Sequence, residues 1–236
     1  MTLLQSEALV VRTVEFGESD VIATFVTREA GKVAAVVRGA RRGSRRLGGA
    51  LEPVHTVSVL LDERAGAELA TLKEAQIVRL RAGLAGDLDA LEAAGVALRW
   101  ARHLFPPRTP EPEGWRVLVE LLDALDAGCG AGGPPRARLA GAGLALLAAV
   151  GYALDLERCV ACGRPCPEDK AACVDPARGG LMCRECGGAP SVLSPPARRA
   201  ARAFAQGRTD EATDADARAV LGLVDRAMAA HAGFER

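Results

Sequence analysis

Apolar and polar residues alternate over the first 78 positions, in short runs rich in Val, Ala and Thr. This two-residue period predicts β-strands that bury one face and expose the other. Clusters of turn residues at 16–19, 29–31 and 62–66 separate the runs. The five predicted strands cover residues 7–14, 20–27, 32–38, 53–61 and 68–74.

Five short strands in fewer than 80 residues favour a closed barrel, because closure leaves no unpaired edge. The preferred prediction is a five-stranded oligonucleotide/oligosaccharide-binding barrel (OB-fold), and an SH3-like barrel is the nearest alternative. The rings in this segment are Phe16, Phe25 and His55. With so few of them, the sequence does not indicate a base-stacking platform.

Beyond residue 80 the apolar period lengthens to that of amphipathic helices. Asp87 is predicted to cap a first helix that ends before Pro106. A second helix, at about 115–125, is stopped by Gly128. Residues 139–150 are apolar almost all round, which is typical of a central helix.

Two more helices are predicted near the C-terminus. Ser194 is followed by two prolines, a pattern that begins a helix, and Gly207 ends it. Asp214 is predicted to cap the last helix. The helical pattern is therefore split into two halves by a cysteine-containing segment.

That segment carries two Cys-x-x-Cys pairs, Cys159 with Cys162 and Cys183 with Cys186, and a glycine follows each pair directly. Each pair is predicted to form a tight turn that points both sulfurs at one centre. Four thiolates at this spacing are typical of one structural Zn²⁺ ion, with no position left open for substrate. Such an ion contributes on the order of 10 kcal/mol to a segment too small for a core of its own.

The alternative is disulfide pairing, which the odd count of seven cysteines disfavours. The N-terminus also lacks the pattern of an export signal. Cys166 and Cys173 lie between the two pairs, and replacement of Cys162 by Cys166 as a ligand stays open at this point. Cys129, in a Gly-rich linker, is predicted to be a free thiol.

Together these patterns predict an α+β multidomain protein: an N-terminal OB-fold barrel, then an all-α helical domain that carries an inserted zinc ribbon with four cysteine ligands. The predicted divisions are the barrel at 1–79, the first helical part at 80–158, the ribbon at 159–187 and the second helical part at 188–236.

Composition adds limits rather than a function. Thirty basic and thirty acidic residues cancel, so net charge alone indicates no polyanionic partner. Aromatic residues make up 3% of the chain, so Leu, Val and Ala must fill the core. The most apolar stretch, 139–150, is too short to span a bilayer, and we expect a soluble cytoplasmic protein that does not engage membranes.

The local distribution of charge is more informative. Between positions 32 and 46 there are six basic residues and no acidic one, among glycines that allow mobility. Concentrated positive charge on a flexible connection is the electrostatic footprint of phosphate binding, and guanidinium groups pair with phosphate bidentately. A solvated loop is the alternative. The predicted contact residues are Lys32, Arg38, Arg41, Arg42, Arg45 and Arg46.

A second basic cluster lies on the helix that begins after Ser194. It comprises Arg198, Arg199 and Arg202, of which Arg198 and Arg202 share a helix face. These side chains are candidates for a secondary DNA contact, and a solvated helix surface is the alternative.

Enzyme interpretations find little support, and we expect a protein that is not an enzyme and takes no small-molecule substrate. The chain has no Gly-x-x-x-x-Gly-Lys-Ser/Thr loop for nucleotide phosphates, and its three histidines are far apart in sequence. A redox Cys-x-x-Cys pair is the best enzymatic alternative. A zinc-containing adaptor that binds only proteins is the best non-enzymatic one.

Several segments resemble the RecO family of bacterial DNA repair and recombination proteins, in the same order along nearly the whole chain. They are Glu-Ala-Leu-Val-Val-Arg at 7–12, Phe-Gly-Glu-Ser-Asp at 16–20, residues 27–33, residues 38–42, Leu-Leu-Ala-Ala-Val-Gly-Tyr at 146–152 with the first cysteine pair after it, and residues 179–186.

The resemblance implies the same barrel, helical domain and zinc ribbon. It implies a recombination mediator that binds single- and double-stranded DNA and anneals complementary strands. With the partner RecR, such a protein helps to load RecA onto DNA coated by single-strand-binding protein, in the nucleoid. The family's basic barrel surface corresponds to Lys32, Arg38, Arg41 and Arg42, and by extension to Arg45 and Arg46.

Overall fold

The N-terminal part of the chain forms a closed β-barrel. The structure is a computed structural model that describes residues 2–42, 49–64, 66–128, 133–210 and 212–233. Its first five strands pair in the order β1-β2-β3-β5-β4, and β4 closes on β1. They are β1 (Thr2–Phe16), β2 (Asp20–Thr27), β3 (Gly31–Val37), β4 (Thr56–Glu63) and β5 (Ala70–Arg79).

Alternating burial along these strands fills the barrel, as the two-residue period predicts. In β3, buried and half-buried residues alternate without a break. In β1, by contrast, Ala8, Leu9, Val10 and Val11 are all buried. Ala8 and Val10 face the barrel core, whereas Leu9 and Val11 join the core of the helices. Both faces of the strand are covered there, so its alternation is lost.

Two strands are longer than predicted. β1 begins at Thr2 because its first half pairs with β4, and it runs to Phe16 because its second half pairs with β2. A bulge between Val10 and Arg12 bends it from one partner to the other. β5 continues to Arg79, which lies opposite Thr56 of β4.

Five helices form the second core. They are α1 (Leu88–Leu104), α2 (Pro112–Asp126), α3 (Pro135–Ala149), α4 (Pro195–Ala205) and α5 (Asp214–Ala232). α3 contacts all four others and buries Ala140, Leu146 and Leu147 completely, as the all-round apolar pattern of 139–150 predicts. The helices before and after the cysteine segment therefore share one hydrophobic core.

Helix ends follow the expected chemistry with one exception. Asp87 accepts a hydrogen bond from the Ala90 N–H at 3.0 Å, and Ser194 caps α4 in the same way. The cap of α5 is Thr213 rather than Asp214, which is the first helical residue. Thr213 and Asp216 bond to each other's backbone N–H groups in a capping box, so two donors are satisfied where Asp214 would satisfy one.

The cysteine segment forms a small sheet between α3 and α4. Its strands are β6 (Asp155–Cys159), β7 (Ala172–Asp175), β8 (Gly180–Met182) and β9 (Ser191–Leu193), in the order β6-β8-β7-β9. Leu156, Val174, Leu181 and Leu193 are buried in the helical core, so the sheet is anchored to the body through one apolar face.

The barrel is fixed to the helices by an apolar contact and a polar rim. Leu9, Val11 and Val26 on the outer wall lie in the helical core. At the rim, the buried guanidinium of Arg81 donates to Asp123 at 2.8 Å and to the Val54 carbonyl at 2.6 Å. The barrel is thus held against the helices along one side.

No helix within the described residues is both long and apolar enough to cross a membrane.

Gly31 provides a test of the contact between the barrel and the helical part of the chain. Its φ is +65°, and a Cβ atom there would collide with the Thr109 carbonyl beyond α1. We expect Gly31→Ala to lower the free energy of unfolding by about 2–4 kcal/mol, from left-handed strain plus the lost close approach. Urea denaturation followed by circular dichroism measures this.

The matched control is Gly39→Ala, where φ is +67° and, among the described residues other than its chain neighbours, no atom lies within 4 Å of the added Cβ. It should lose only about 1 kcal/mol, because strain alone applies. Equal losses for the two variants would show that the approach of Thr109 contributes nothing.

Candidate functional site

The four cysteines of the two Cys-x-x-Cys pairs converge on one point. Cys159 ends β6 and Cys162 follows in a turn, while Cys183 and Cys186 follow β8. Glycines with φ of +72° and +99° complete the two turns directly after each pair. The four Sγ atoms all lie within 4.8 Å of one another. The arrangement has the ligands and the size to hold one metal ion.

Electrostatics at this cluster favour a cation at its centre. The Cys183 N–H donates to the Cys159 sulfur at 3.3 Å and, with other backbone donors, lowers the pKa of Cys159 to about 6. Hydrogen bonds with Cys183 and Cys162 and the charge of Cys159 raise the pKa of Cys186 to about 12. Four thiolates this close repel one another, so all four cannot be ionised without a counter-charge. A divalent cation at the centre supplies that charge.

The remaining cysteines stand outside the cluster. All six cysteines in the described residues are free thiols, so none of them forms the alternative disulfides. Cys166 does not replace Cys162, because its sulfur instead accepts a hydrogen bond from Arg198 at 2.6 Å. Cys173 lies in β7. Cys129 falls outside the described residues.

Arg198 joins α4 to the loop between the two cysteine pairs. Its side chain is 1% exposed and donates to the carbonyls of Cys166, Pro167 and Lys170. The guanidinium has no access to a DNA phosphate in this structure. The sequence contains one indication that Arg198 is buried. It lies next to Ala197 and three residues before Ala201, on the helix face that packs inward.

The other two arginines of α4 differ in their surroundings. Arg202 pairs with Glu157 of β6 at 2.8 Å and also with Glu168, which lies in the loop between the two cysteine pairs. Arg199 is exposed. Of the three secondary candidates, Arg199 therefore presents its side chain to solvent, and its contact with DNA stays a prediction.

The predicted basic surface begins where β3 ends. Arg38 is exposed directly after the strand, and Arg41 is exposed in the short 3-10 turn at Ala40–Arg42. Arg41 pairs with Glu15 at 3.2 Å between two well-exposed side chains, a pair that is weak in water. The backbone of Arg42 lies in the same turn. Arg45 and Arg46 fall outside the described residues.

Hydrogen bonds tie this turn to the tip of the β1–β2 hairpin. The Arg41 N–H donates to the Ser19 carbonyl at 3.0 Å, and the Gly39 N–H donates to Asp20 Oδ1 at 2.9 Å. The part of the chain that follows β3 and carries most of the predicted basic residues, 38–46, is called the basic segment below. Its start is therefore held at one end of the barrel, beside the hairpin tip.

Lys32 lies elsewhere. Its ammonium donates to the Arg102 carbonyl at 2.7 Å, and its backbone bonds with Pro106 and Arg108 at the junction with the helices. Burial, together with the nearby charge of Arg102, lowers the pKa of Lys32. Its ammonium serves the contact between barrel and helices, and a phosphate contact by Lys32 stays a prediction.

The protein thus consists of a closed five-stranded barrel and a helical body. The helical body carries the four-cysteine cluster that could hold a metal ion. Residues 1–81 match the family model described as "Recombination protein O N terminal", and residues 85–236 match the one described as "Recombination protein O C terminal". The chain belongs to this family of DNA repair proteins.

Curated relatives agree. The DNA repair protein RecO of Anaeromyxobacter sp. (strain K) is 40% identical over 82% of this chain and 74% of its own. The DNA repair protein RecO of Anaeromyxobacter dehalogenans (strain 2CP-1) is 42% identical over 78% and 71%. That of Geobacter metallireducens is 34% identical over 98% of this chain and 93% of its own length.

The cysteine cluster predicts a measurable metal content. Purified protein should contain about one metal ion per chain, and Cys162→Ser should lose it because three thiolates bind far more weakly than four. Inductively coupled plasma mass spectrometry provides the measurement. Cys173→Ser, which alters a thiol outside the cluster, should keep the metal. Equal metal content in both variants would argue against the assigned ligands.

Arg198 predicts a stability effect. Arg198→Ala leaves the carbonyls of Cys166, Pro167 and Lys170 without their donor, and the free energy of unfolding should fall by about 1–3 kcal/mol. Arg199→Ala, one position along the helix and exposed, should change it by less than about 0.5 kcal/mol. Chemical denaturation of both variants tests the difference, and similar values would refute the buried role.

Proposed function

We propose that this protein binds single- and double-stranded DNA through its phosphates, at the end of the barrel where β3 gives way to the basic segment. The supporting observation is the placement of Arg38 and Arg41. Both are exposed, and both stand at one end of a closed barrel beside the hairpin tip. Phosphate oxygens can replace the weak, solvated pair between Arg41 and Glu15.

The barrel is assigned to the OB-fold class within this proposal. Support comes from its strand order, β1-β2-β3-β5-β4, from the antiparallel closure between β1 and β4, and from the parallel pairing of β3 with β5. OB-folds bind oligonucleotides on the face of strands 2 and 3 and with the loops that join strands 1 and 2 and strands 4 and 5. The basic segment follows β3, and hydrogen bonds from Gly39 and Arg41 hold its start beside the loop between β1 and β2.

The proposed activity is strand annealing without catalysis. Two DNA strands repel each other as polyanions, and arginines between them reduce this repulsion. Because phosphate contacts carry no sequence information, the strands are free to shift until Watson–Crick pairing selects the register. No covalent step is required, and the protein is proposed not to be an enzyme.

The metal is proposed to be one structural Zn²⁺ ion held by Cys159, Cys162, Cys183 and Cys186. A tetrahedron with Zn–S bonds of about 2.3 Å places its sulfurs about 3.8 Å apart. Cys162 Sγ and Cys183 Sγ are separated by 3.8 Å. Four thiolates fill the coordination sphere, so the ion would hold the ribbon in shape and take no part in chemistry.

The cellular role is proposed from membership of the family. The protein would act with RecR to help load RecA onto DNA coated by single-strand-binding protein, in the nucleoid of the cytoplasm. The curated relatives are named DNA repair proteins, which supports this role without assigning the partners.

DNA binding should be strongly salt-dependent. Contacts with four to six phosphates predict a slope of about −3 to −4 in a plot of log affinity against log salt concentration for single strands. Reversing Arg41, Arg42, Arg45 and Arg46 to Glu should abolish binding and annealing without unfolding the barrel. Fluorescence anisotropy with labelled oligonucleotides measures affinity, and circular dichroism checks the fold.

The control carries the same change of net charge on other exposed arginines of the helical body and ribbon. These are Arg99, Arg158, Arg178 and Arg226. Their reversal should leave most of the affinity in place. Absence of DNA binding by the wild-type protein at low salt, alone and with RecR, would instead favour an adaptor that binds only proteins.

A further inference from the structure

The β1–β2 hairpin extends beyond the part of the barrel that is covered by helices. Strand pairing continues to Phe16, which lies opposite Asp20. From Ala8 to Val11, β1 is buried on both faces, but every residue from Arg12 to Phe16 is exposed. The end of this hairpin, in which β2 is also paired with β3, therefore has an open outer face.

One outer face of this hairpin end combines apolar and basic side chains. Because side chains alternate along a strand, Arg12, Val14 and Phe16 lie on the same face. Val14 lies opposite Ile22 in β2, and Ile22 lies opposite Val36 in β3. The three side chains form a partly exposed apolar row across the strands. Arg12 and Phe16 lie on either side of Val14 in β1.

Phe16 is an unusual residue for this protein. Its side chain is 49% exposed, whereas Phe25, Phe105 and Phe204 are at most 3% exposed. Phe25, Phe105 and Phe204 fill the cores, where a buried ring contributes a large apolar area. The ring of Phe16 contributes little to packing and is free to contact a ligand.

The basic segment begins beside this ring. Asp20, directly across from Phe16, accepts hydrogen bonds from the Gly39 N–H at 2.9 Å and from the Ser19 hydroxyl at 3.1 Å. Arg38 precedes Gly39 and is exposed. These bonds engage the Asp20 carboxylate and place Arg38 at the same end of the barrel as Phe16.

We propose that Phe16 stacks on an unpaired base of a bound single strand, while Arg38 and Arg12 contact the flanking phosphates. The occupant follows from the chemistry of this face: a flat ring and an apolar row suit base faces, and exposed guanidiniums suit phosphates. This inference rests on the proposed function and adds a contact specific to single strands.

Stacking on Phe16 would explain how a strand can be held and still pair. A stacked base offers its π-face to the protein and keeps its Watson–Crick edge free. A complementary strand can then approach that edge, and duplex formation withdraws the base from the ring. In a duplex the bases are already stacked, so Phe16 would add nothing to duplex binding.

The test compares single strands and duplex for Phe16→Ala. Loss of one stacked base should weaken binding of a single-stranded oligonucleotide about 5- to 100-fold. Affinity for a duplex of the same length, and the salt slope for single strands, should remain as in the wild-type protein. Anisotropy titrations measure all three, and thermal unfolding verifies that the exposed substitution leaves the fold intact.

Two further variants sharpen the result. Leu3→Ala removes another exposed apolar side chain of β1, 63% exposed and paired with β4 instead of β2, and should bind both DNA forms normally. Phe16→Trp should restore single-strand affinity. Because Trp100 and Trp115 are buried, quenching of an exposed indole at position 16 by single strands would report stacking directly.

The outcomes separate the two proposals. If Phe16→Ala binds single strands as tightly as the wild-type protein does, the stacking role is overturned and the proposal of phosphate binding remains. Equal loss for single strands and duplex would also overturn it, since the ring would then only support the hairpin. If the wild-type protein binds no DNA at all, the proposed function fails and the stacking role fails with it.

Discussion

Burial of the barrel's outer wall against the helices determines which parts of this protein remain available for binding. Leu9, Val11 and Val26 lie in the helical core although they belong to barrel strands. Burial of these side chains contributes about 1.5–3 kcal/mol each. The hydrogen bonds of Arg81 with Asp123 and of Lys32 with the Arg102 carbonyl add polar attachments between barrel and helices. With one side of the barrel covered, the hairpin tip and the end of β3 are left open.

The small sheet of the cysteine segment, β6 to β9, depends on attachments outside its own strands. The ribbon strands are three to five residues long, too short to be stable on their own. The apolar contacts of Leu156, Val174 and Leu181 hold the sheet on one side, and a metal ion bound by the four sulfurs, as proposed, would close it on the other. Arg198 adds a third attachment, through carbonyls of the loop that joins the cysteine pairs. The ribbon therefore serves as a fixed part of the body.

Much of the architecture was accessible from local pattern. Alternation located all five barrel strands, and the cap at Asp87 and the prolines after Ser194 located helix starts. The lengths of β1 and β5 were underestimated, because their ends are stabilised by pairing with neighbouring strands rather than by an apolar pattern of their own. The cap of α5 was misplaced by one residue, since Thr213 and Asp214 are both good capping residues and only geometry distinguishes them.

Features whose physics is local can be read from the amino-acid sequence: strand and helix periods, the spacing of two cysteine pairs, and a run of basic residues free of acidic ones. What each charged or aromatic side chain faces depends on the folded chain. Arg198 is buried against carbonyls from 28 to 32 residues away, and Lys32 bonds to a carbonyl 70 residues away. Phe16, one of only three rings in the barrel segment, is left exposed at the hairpin tip. Such contacts join distant parts of the chain, and no periodicity along the chain encodes them.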